Sequence, residues 1–532
     1  MKMKKIYKQL LIISVILSVT GFSSCVNLEE DARSQITTEN FYKTDNDAIA
    51  AVQSIYSDLT HNTSGDHASI YNRQLVLAVG MLTDDHIAGV GATNPDVRSL
   101  CALTASATNT RFYELWRQHY EAINRANSAI SRIPGITGGD AALKTRLVLE
   151  ARFLRGLLYY NLVRLWGEVP LVTQETTTLQ NLQLAKSPVD AVYKQIIDDF
   201  TAAADGLPLS YTGADGFRAT KGAARAFLIN VYVTRRDYNK ALEQYNIIST
   251  TPYSYGLFPS YADNFVTSKE NTVEHIFDAN FIADGSAAMS GKGNVNILSM
   301  ISTWIYGYET GQGTGYGADQ PLVTLRGKFK ASDTRTKITF KDSVFSSAAK
   351  VKKMYYPHFY KYWDPTAAAN LANNGVNAPI IRYSEVLLFA AEAKNELSGP
   401  GDPNDASSAY ALFNKVYKRA RPTSSGLTTG LTKEQFRDSI FNERQLEFVY
   451  EQIRFFDLIR INGSGSALLV KALQALPTIA AQQAAAGIPG VSATNEWVVA
   501  KSKNVSEKFL LLPIPATELL NNKKLVQNDA WK

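Results

Sequence analysis

The chain has 532 residues, 45% of them hydrophobic and 20% charged, with 55 Lys+Arg against 49 Asp+Glu and two cysteines. Four of the lysines lie within Met1–Lys8, so the remainder is close to neutral and carries no clustered basic footprint of a nucleic-acid binder. A chain of this length exceeds one ordinary core, and two cysteines cannot supply a disulfide framework, so several domains or a repeat scaffold are expected.

The first thirty residues read as an export signal. A basic head is followed by the apolar run Leu10–Val19 and then by Gly21-Phe22-Ser23-Ser24-Cys25. That run is too short to span a bilayer. A cysteine at the expected cleavage point is similar to the bacterial lipoprotein signal, with Phe22 where leucine is usual. Residues 1–24 are therefore expected to be removed, Cys25 to be lipidated, and residues 25–40 to form a tether. The other reading is an ordinary cleaved signal with a chance cysteine. No later stretch offers about 20 uninterrupted apolar residues, so lipid would hold the chain to the membrane.

Helical periodicity dominates the rest of the chain. Phe41–Leu59 reads as a helix behind cap candidates Thr37 and Thr38, with Glu39 in its first turn. Arg111–Ile133 and Ala141–Trp166 form a pair, closed by Pro134-Gly135 and by Gly167 with Pro170. Helices over Val189–Leu207 and Ala219–Arg235 come next. Ala224, Leu228 and Tyr232, then Ala241 and Tyr245 beyond the turn at Asp237-Tyr238, repeat at four-residue spacing. That pattern resembles a tetratricopeptide hairpin, and Ser384–Leu397 with Ala406–Arg421 repeats it. Between these blocks, over about 253–379, the pattern changes. His275–Phe281 and Lys337–Phe340 read as short strands, Gly285–Asn294 and Gly307–Gly317 as loops. Ala467–Ala486 reads as an added helix. The expected fold is mainly α: a tetratricopeptide-like helix-pair scaffold over residues 41–532, with a long, irregular, loop-rich insertion containing short strands.

Several strings together resemble one family. Asn40-Phe41-Tyr42 with Ala48, Ala51 and Tyr56 is followed by Glu150–Arg155, Tyr159–Leu162 and Gly167–Leu171. Asn271–Phe277, Arg382–Leu388 and Ala391-Glu392-Ala393 come next. The C-terminal part adds Glu443-Arg444, Glu447-Phe448, Glu451, Arg454–Leu458 and Arg460, then Leu512–Pro515, Glu518 and Gln527-Asn528. In this order, behind a lipoprotein signal, they resemble the SusD/RagB nutrient-binding lipoproteins of Bacteroidetes outer membranes, over nearly the whole mature chain. The resemblance implies a non-catalytic surface lipoprotein that captures oligosaccharides or peptides and passes them to a SusC-like TonB-dependent β-barrel. Glu29-Glu30-Asp31 fits the acidic export signal of such lipoproteins, or is simply part of a solvated tether. A structural calcium is possible in the family, but no ligand spacing here argues for it, and no other cofactor is expected.

The acids and bases from Glu443 to Arg460 recur three and four apart, which marks an ion-pair network between packed helices rather than a catalytic cluster. Asp198-Asp199 reads as a solvated helix face. Trp116, Tyr160 and Trp166 read as core. The main binding candidates are Trp304, Tyr306 and Tyr308, which alternate and so would share one side of an extended segment, together with Tyr316. Flat aromatics can cover the C–H faces of sugars while polar neighbours take the hydroxyls; burial of the rings in a core is the rival reading. Tyr71, Asn72 and Arg73 are the second candidates, because Arg73 resembles in position a ligand-contacting arginine of starch-binding relatives; an ordinary helix-surface charge is the alternative. Asp85 and His86, in Asp84-Asp85-His86, resemble a family position near the ligand face, with a turn cap as the alternative. A surface glycoside hydrolase lacks an arguable facing carboxylate pair, and an adaptor that binds only protein is the remaining class.

Overall fold

The computed structural model describes residues 41–61, 69–89, 91–177, 182–283, 296–302, 317–346, 351–364, 374–460 and 468–532. Phe41–Lys43 belong to a separate short N-terminal unit, in which the Phe41 and Tyr42 rings meet edge to face at 4.8 Å. Thr44–Lys532 form the main body.

The first helix among the described residues, α1, spans Asp45–Thr60, four residues later than the sequence pattern suggests. Its start is fixed by Thr44, whose hydroxyl accepts the Asp47 N–H while the Asp47 carboxylate accepts the Thr44 N–H. This reciprocal cap satisfies two donors that the first turn leaves unpaired. Upstream, Tyr42 sits at φ 63°, where no helix can continue.

Helices α2 (Thr110–Arg132), α3 (Ala141–Trp166), α4 (Val189–Gly206), α5 (Lys221–Thr234) and α6 (Tyr238–Ile248) then pack in succession, each against the next. Their N-termini carry oxygen caps at Asn109, Asp140, Thr220 and Asp237, with Pro188 preceding α4. After the insertion, α7 (Tyr383–Ser398) pairs with α8 (Ala409–Ala420) and also lies against α5 and α6. A helix α9 (Lys433–Glu447) and a short α10 (Arg454–Arg460) follow. These are the helix pairs expected of a tetratricopeptide-like scaffold. Trp116, Tyr160 and Trp166 are buried in it.

One pairing differs from expectation. Asp198 is exposed, but Asp199 is fully buried and accepts from Arg152 Nε (3.0 Å) and from Arg155 Nε and Nη2 (both 2.8 Å). Only half of the Asp198-Asp199 pair is a solvated face. Close approach of α3 and α4 at Gly156 explains this, since a Cβ there would already meet the Phe200 ring at 3.2 Å. The arginines lie 44–47 residues from Asp199 in sequence, beyond any local pattern.

Among the described residues, six strands form three separate antiparallel pairs: β1 (His86–Ala88) with β3 (Asp319–Pro321), β2 (His275–Ala279) with β6 (Ala378–Arg382), and β4 (Phe340–Ser346) with β5 (Val351–Phe359). The expected strand at Lys337–Phe340 is instead a helical turn, Thr336–Thr339, and β4 begins at Phe340. Ile338 and Thr339 have strand-like propensity, but Asp333 sets a turn first, accepting the Arg335 N–H on its carboxylate and the Thr336 hydroxyl on its carbonyl. The late helix is divided into α11 (Leu468–Gln474) and α12 (Leu476–Ala485), because Pro477 opens a new first turn and has no N–H to continue the old one.

Beside the β2–β6 pair, Glu270 Oε1 accepts the Asn377 N–H at 2.6 Å, and burial pushes its carboxyl up to about 7. A folded-state value above the ordinary one means the folded protein binds this proton more tightly than the unfolded chain. The contribution of Glu270 to stability is therefore greatest in acid and declines as pH rises from about 4.5 to about 7. Glu270→Gln should flatten the pH dependence of Tm across that interval; an unchanged slope would assign it to other groups.

Candidate functional site

The second group of sequence candidates lies on Ile70–Gln74, one π-helical turn that runs into the short helix Leu75–Ala78. Asn72 is fully buried: its Nδ2 donates to the Thr60 carbonyl at 3.2 Å and its Oδ1 accepts the Ile297 N–H at 2.9 Å. The Tyr71 hydroxyl accepts from Asn161 Nδ2 at 2.9 Å, and burial pushes this phenol up to about 12. Arg73 is half-buried on the same turn. Tyr71 and Asn72 thus join the α1 end, α3 and the turn at Ile297.

Asp84, Asp85 and His86 are also interior. Arg454 donates to both carboxylate oxygens of Asp84 at 2.8 Å, and Gln445 Nε2 donates to Asp84 at 3.0 Å and to Asp85 at 2.6 Å. Burial works against the charge on Asp84, yet Arg454 and Lys328 hold it below the usual carboxylate range. Burial and the neighbouring Asp84 charge push Asp85 up. His86 Nδ1 lies 2.9 Å from Asp319 Oδ1, its ring packs against Phe359 and Tyr450, and Gly80 leaves room for it, since a Cβ there would stand 3.2 Å from the imidazole. A ligand could reach Asp85 or His86 only by displacing these partners. Their observed effect is to hold β1 in register with β3, His86 opposite Pro321 and Ala88 opposite Asp319.

The Glu443–Arg460 ladder is an ion-pair network, as its spacing suggests. Glu447 Oε1 accepts from Arg382 at 2.6 Å and from Arg419, its Oε2 accepts from Arg335 at 2.9 Å, and Glu451 holds Lys361 and Arg382. Burial opposes ionisation of Glu447, but these three guanidiniums hold it well below the carboxylate range. The turn between α9 and α10, within this stretch, contributes two residues that the sequence did not single out. Tyr450 and Gln452 stand at φ 66° and 63°, the left-handed region that side chains usually avoid. From there the Tyr450 hydroxyl donates to the Leu298 carbonyl at 2.8 Å, and Gln452 Nε2 donates to the Tyr71 carbonyl at 2.9 Å. Such strain persists only where surrounding contacts over-determine it.

Together these contacts bring one corner of the molecule into being. Residues flanking 303–316 meet there: the Ala318 N–H donates to the Ile301 carbonyl at 2.7 Å and the Gly91 N–H to the Gly317 carbonyl at 3.0 Å. Asn296 and Asn374, at the ends of 284–295 and 365–373, are joined by a 2.8 Å main-chain hydrogen bond. Asn374 Nδ2 also donates to the Tyr362 carbonyl at 2.7 Å and to Ser299 Oγ at 3.0 Å. Trp304, Tyr306, Tyr308 and Tyr316 lie outside the described residues, as do most of both glycine-rich loops and Cys25. What the described residues add is a second aromatic pair. Tyr360 and Trp363, both half-buried, stack at 5.9 Å with an interplanar angle of 18°, and Lys341 Nζ stands 5.5 Å from the Tyr360 ring centre. Their spacing across a turn carries no periodic signal, which is why pattern reading passes over them.

Asp84, Asp85, Asp319, Glu447 and Glu451 are all buried here and held by cations, an imidazole or an amide, an arrangement that supports a fold rather than acid–base work on a substrate. Among the described residues, no three histidines, cysteines or acids converge closely enough to hold a metal ion.

Comparison with known proteins agrees with this architecture. The family described as the SusD family matches residues 235–531, and one described as starch-binding associating with outer membrane matches residues 24–233. SusD-like protein P2 of Formosa agariphila is 27% identical over 552 residues, covering 99% of each chain. A SusD homologue from Bacteroides thetaiotaomicron superposes with a TM-score of 0.76 at 23% identity, over 93% of this chain and 99% of that one. Surface glycan-binding protein A from Bacteroides uniformis does so with a TM-score of 0.72 at 25% identity, over 92% of this chain and all of that one. A further neighbour, at 22% identity and a TM-score of 0.70 over 91% of this chain and 99% of that one, is surface glycan-binding protein A from Bacteroides thetaiotaomicron in complex with laminarihexaose. With a match covering more than half its length and helix pairs in the same arrangement, this chain belongs to the SusD family.

Proposed function

We propose that this protein is a non-catalytic, lipid-anchored protein of the outer cell surface that binds an oligosaccharide and delivers it to a SusC-like TonB-dependent transporter. The observation that carries the reading is the corner itself: Tyr360 and Trp363 form a stacked, half-buried pair on either side of Tyr362, whose carbonyl shares the Asn374 amide with Ser299, close in sequence to Ile301 and the aromatic candidates Trp304, Tyr306, Tyr308 and Tyr316. A sugar chain needs several such surfaces, because one aromatic contact contributes only about 0.5–1.5 kcal/mol. Support for a glycan comes from the relative solved with laminarihexaose. Support for the membrane address comes from the outer-membrane family matched over residues 24–233 and from the signal ending at Cys25.

The test is calorimetric binding to plant, host and microbial glycans and to mixed peptides. Trp304→Ala with Tyr308→Ala should weaken glycan binding more than about tenfold, on the order of 1.4 kcal/mol or more, with an unchanged melting temperature. Unchanged affinity would remove these rings from the site. Binding to peptides alone would make the cargo peptide, and release of reducing sugar would make the protein a hydrolase.

A further inference from the structure

A recess of about 250 Å³ opens where the connection between α4 and α5 meets the turn after α6 and the residues leading into β2. Tyr211, Phe217, Thr220, Tyr253, Tyr255 and Val273 are among its lining residues, and none of the corner residues takes part. Three features of this recess define what it can hold. The first is an aromatic ladder: Tyr253 stacks on Tyr255 at 6.4 Å and 19°, and Tyr255 on Tyr383 at 6.1 Å and 23°. Tyr383 is buried, whereas Tyr253 and Tyr255 are partly open.

The second is neutrality. Arg218 lines the recess, but its guanidinium is committed to Glu150 at 3.0 Å and to Asp215 at 2.6 Å. His275, also in the lining, is committed to Asp278. An anion or cation entering here would meet no uncommitted opposite charge from these groups. The third is a set of hydroxyls beside exposed apolar groups. Thr220 Oγ1 and Tyr255 OH stand 3.4 Å apart, Tyr253 OH accepts from Arg225 Nε at 3.0 Å and keeps its own proton to donate, and Leu209 and Val273 are each left 41% exposed at the rim.

From these features we infer an auxiliary saccharide subsite that takes one neutral pyranose ring. The ring would set a C–H face against Tyr253 and exchange hydroxyl hydrogen bonds with Tyr253 and Tyr255. The recess is smaller than the usual pocket for a drug-sized ligand, which suits one ring rather than a chain. An apolar acyl group would strand the hydroxyls, and a peptide aromatic would engage the ladder but leave the hydroxyls unmatched. The inference shares its ligand class with the proposed function and differs from it in place.

The experiment is saturation-transfer NMR on the full chain in a non-glycosidic detergent, with the methyl glycosides of glucose, galactose, mannose and N-acetylglucosamine as probes and N-acetyl-tyrosinamide as the competing chemistry. At least one glycoside should bind in the millimolar range. Tyr253→Ala should weaken it about tenfold. Val273→Arg, which crowds the mouth from an exposed position, should do the same with an unchanged melting temperature. The Trp304→Ala, Tyr308→Ala protein should keep this binding even where it has lost the polysaccharide. No transfer to any glycoside in the unaltered protein would overturn the inference, as would preference for N-acetyl-tyrosinamide. Loss in the Trp304, Tyr308 protein but not in the Tyr253 or Val273 variants would return the sugar to the corner. Failure of the corner variants to affect polysaccharide binding would count against the proposed function and leave this subsite standing.

Discussion

Replacing Glu447 with alanine is expected to cost about 3–5 kcal/mol of stability, enough to leave much of the protein unfolded or insoluble at growth temperature. The side chain is fully buried, and its carboxylate is shared by Arg335, Arg382 and Arg419. Alanine would leave three guanidiniums facing one another in a medium that screens them poorly. Their remaining partners would offset only part of that repulsion: Asp333 and Glu443 for Arg335, Glu274 and Glu451 for Arg382, and Glu274 for Arg419. Glu447→Gln keeps the shape and two donor-accepting contacts at most, and should fall between. Because the folded-state carboxyl is held below its ordinary value, its stabilising contribution is present above the unfolded value of about 4.5 and is lost as pH falls toward the depressed folded value. Urea unfolding at neutral pH is the direct measurement. A loss below about 1 kcal/mol would show that the network sets specificity rather than stability.

The second large effect concerns location. Cys25→Ala should move the protein from the membrane fraction to the soluble fraction, leaving its sugar binding intact once purified. No helix among the described residues is long and apolar enough to cross a membrane, and the attachment we propose is the acylated Cys25. Acyl chains contribute about 0.8 kcal/mol for each buried methylene, which makes the expected change close to all-or-none. Fractionation followed by labelling of intact cells with an impermeant reagent checks both the attachment and the outward orientation. A Cys25→Ala protein that stays membrane-bound would show that something other than acylation holds it.

The helix pairs were readable because their signals are local. Thr220, Asp237 and Asp140 cap where an oxygen is needed, Gly167 stops α3 at φ 71°, and apolar residues three and four apart describe one face of each helix. Where a local rule had a competitor, the boundary moved. Thr44 with Asp47 outcompeted Thr37 and Thr38 as a cap, Asp333 imposed a turn on a strand-like run, and Pro477 cut one helix into two.

The candidate site was legible only in part. The sequence identified Tyr71, Asn72, Asp85 and His86 as unusual, yet polar groups drawn from far along the chain look alike whether they await a ligand or one another. Folding supplied the partners: Asn161 for Tyr71, Ile297 for Asn72, Gln445 for Asp85 and Asp319 for His86, at separations of 90 to 360 residues. The stacked pair Tyr360–Trp363 went unnoticed for the converse reason, since three residues across a turn leave no period to detect.

By itself, then, the sequence determined the class of this protein: helix pairs as its frame and the ordered motifs of the SusD family, with export and acylation at Cys25 proposed from residues 1–25. Those properties are written in residue type and short spacing, which the chain carries before it folds. Tertiary structure alone decided which polar residues became interior struts, which aromatic pairs stayed half-buried, and which distant residues meet. Each of those outcomes depends on contacts between residues remote in sequence, whose energies exist only once burial has removed the water between them.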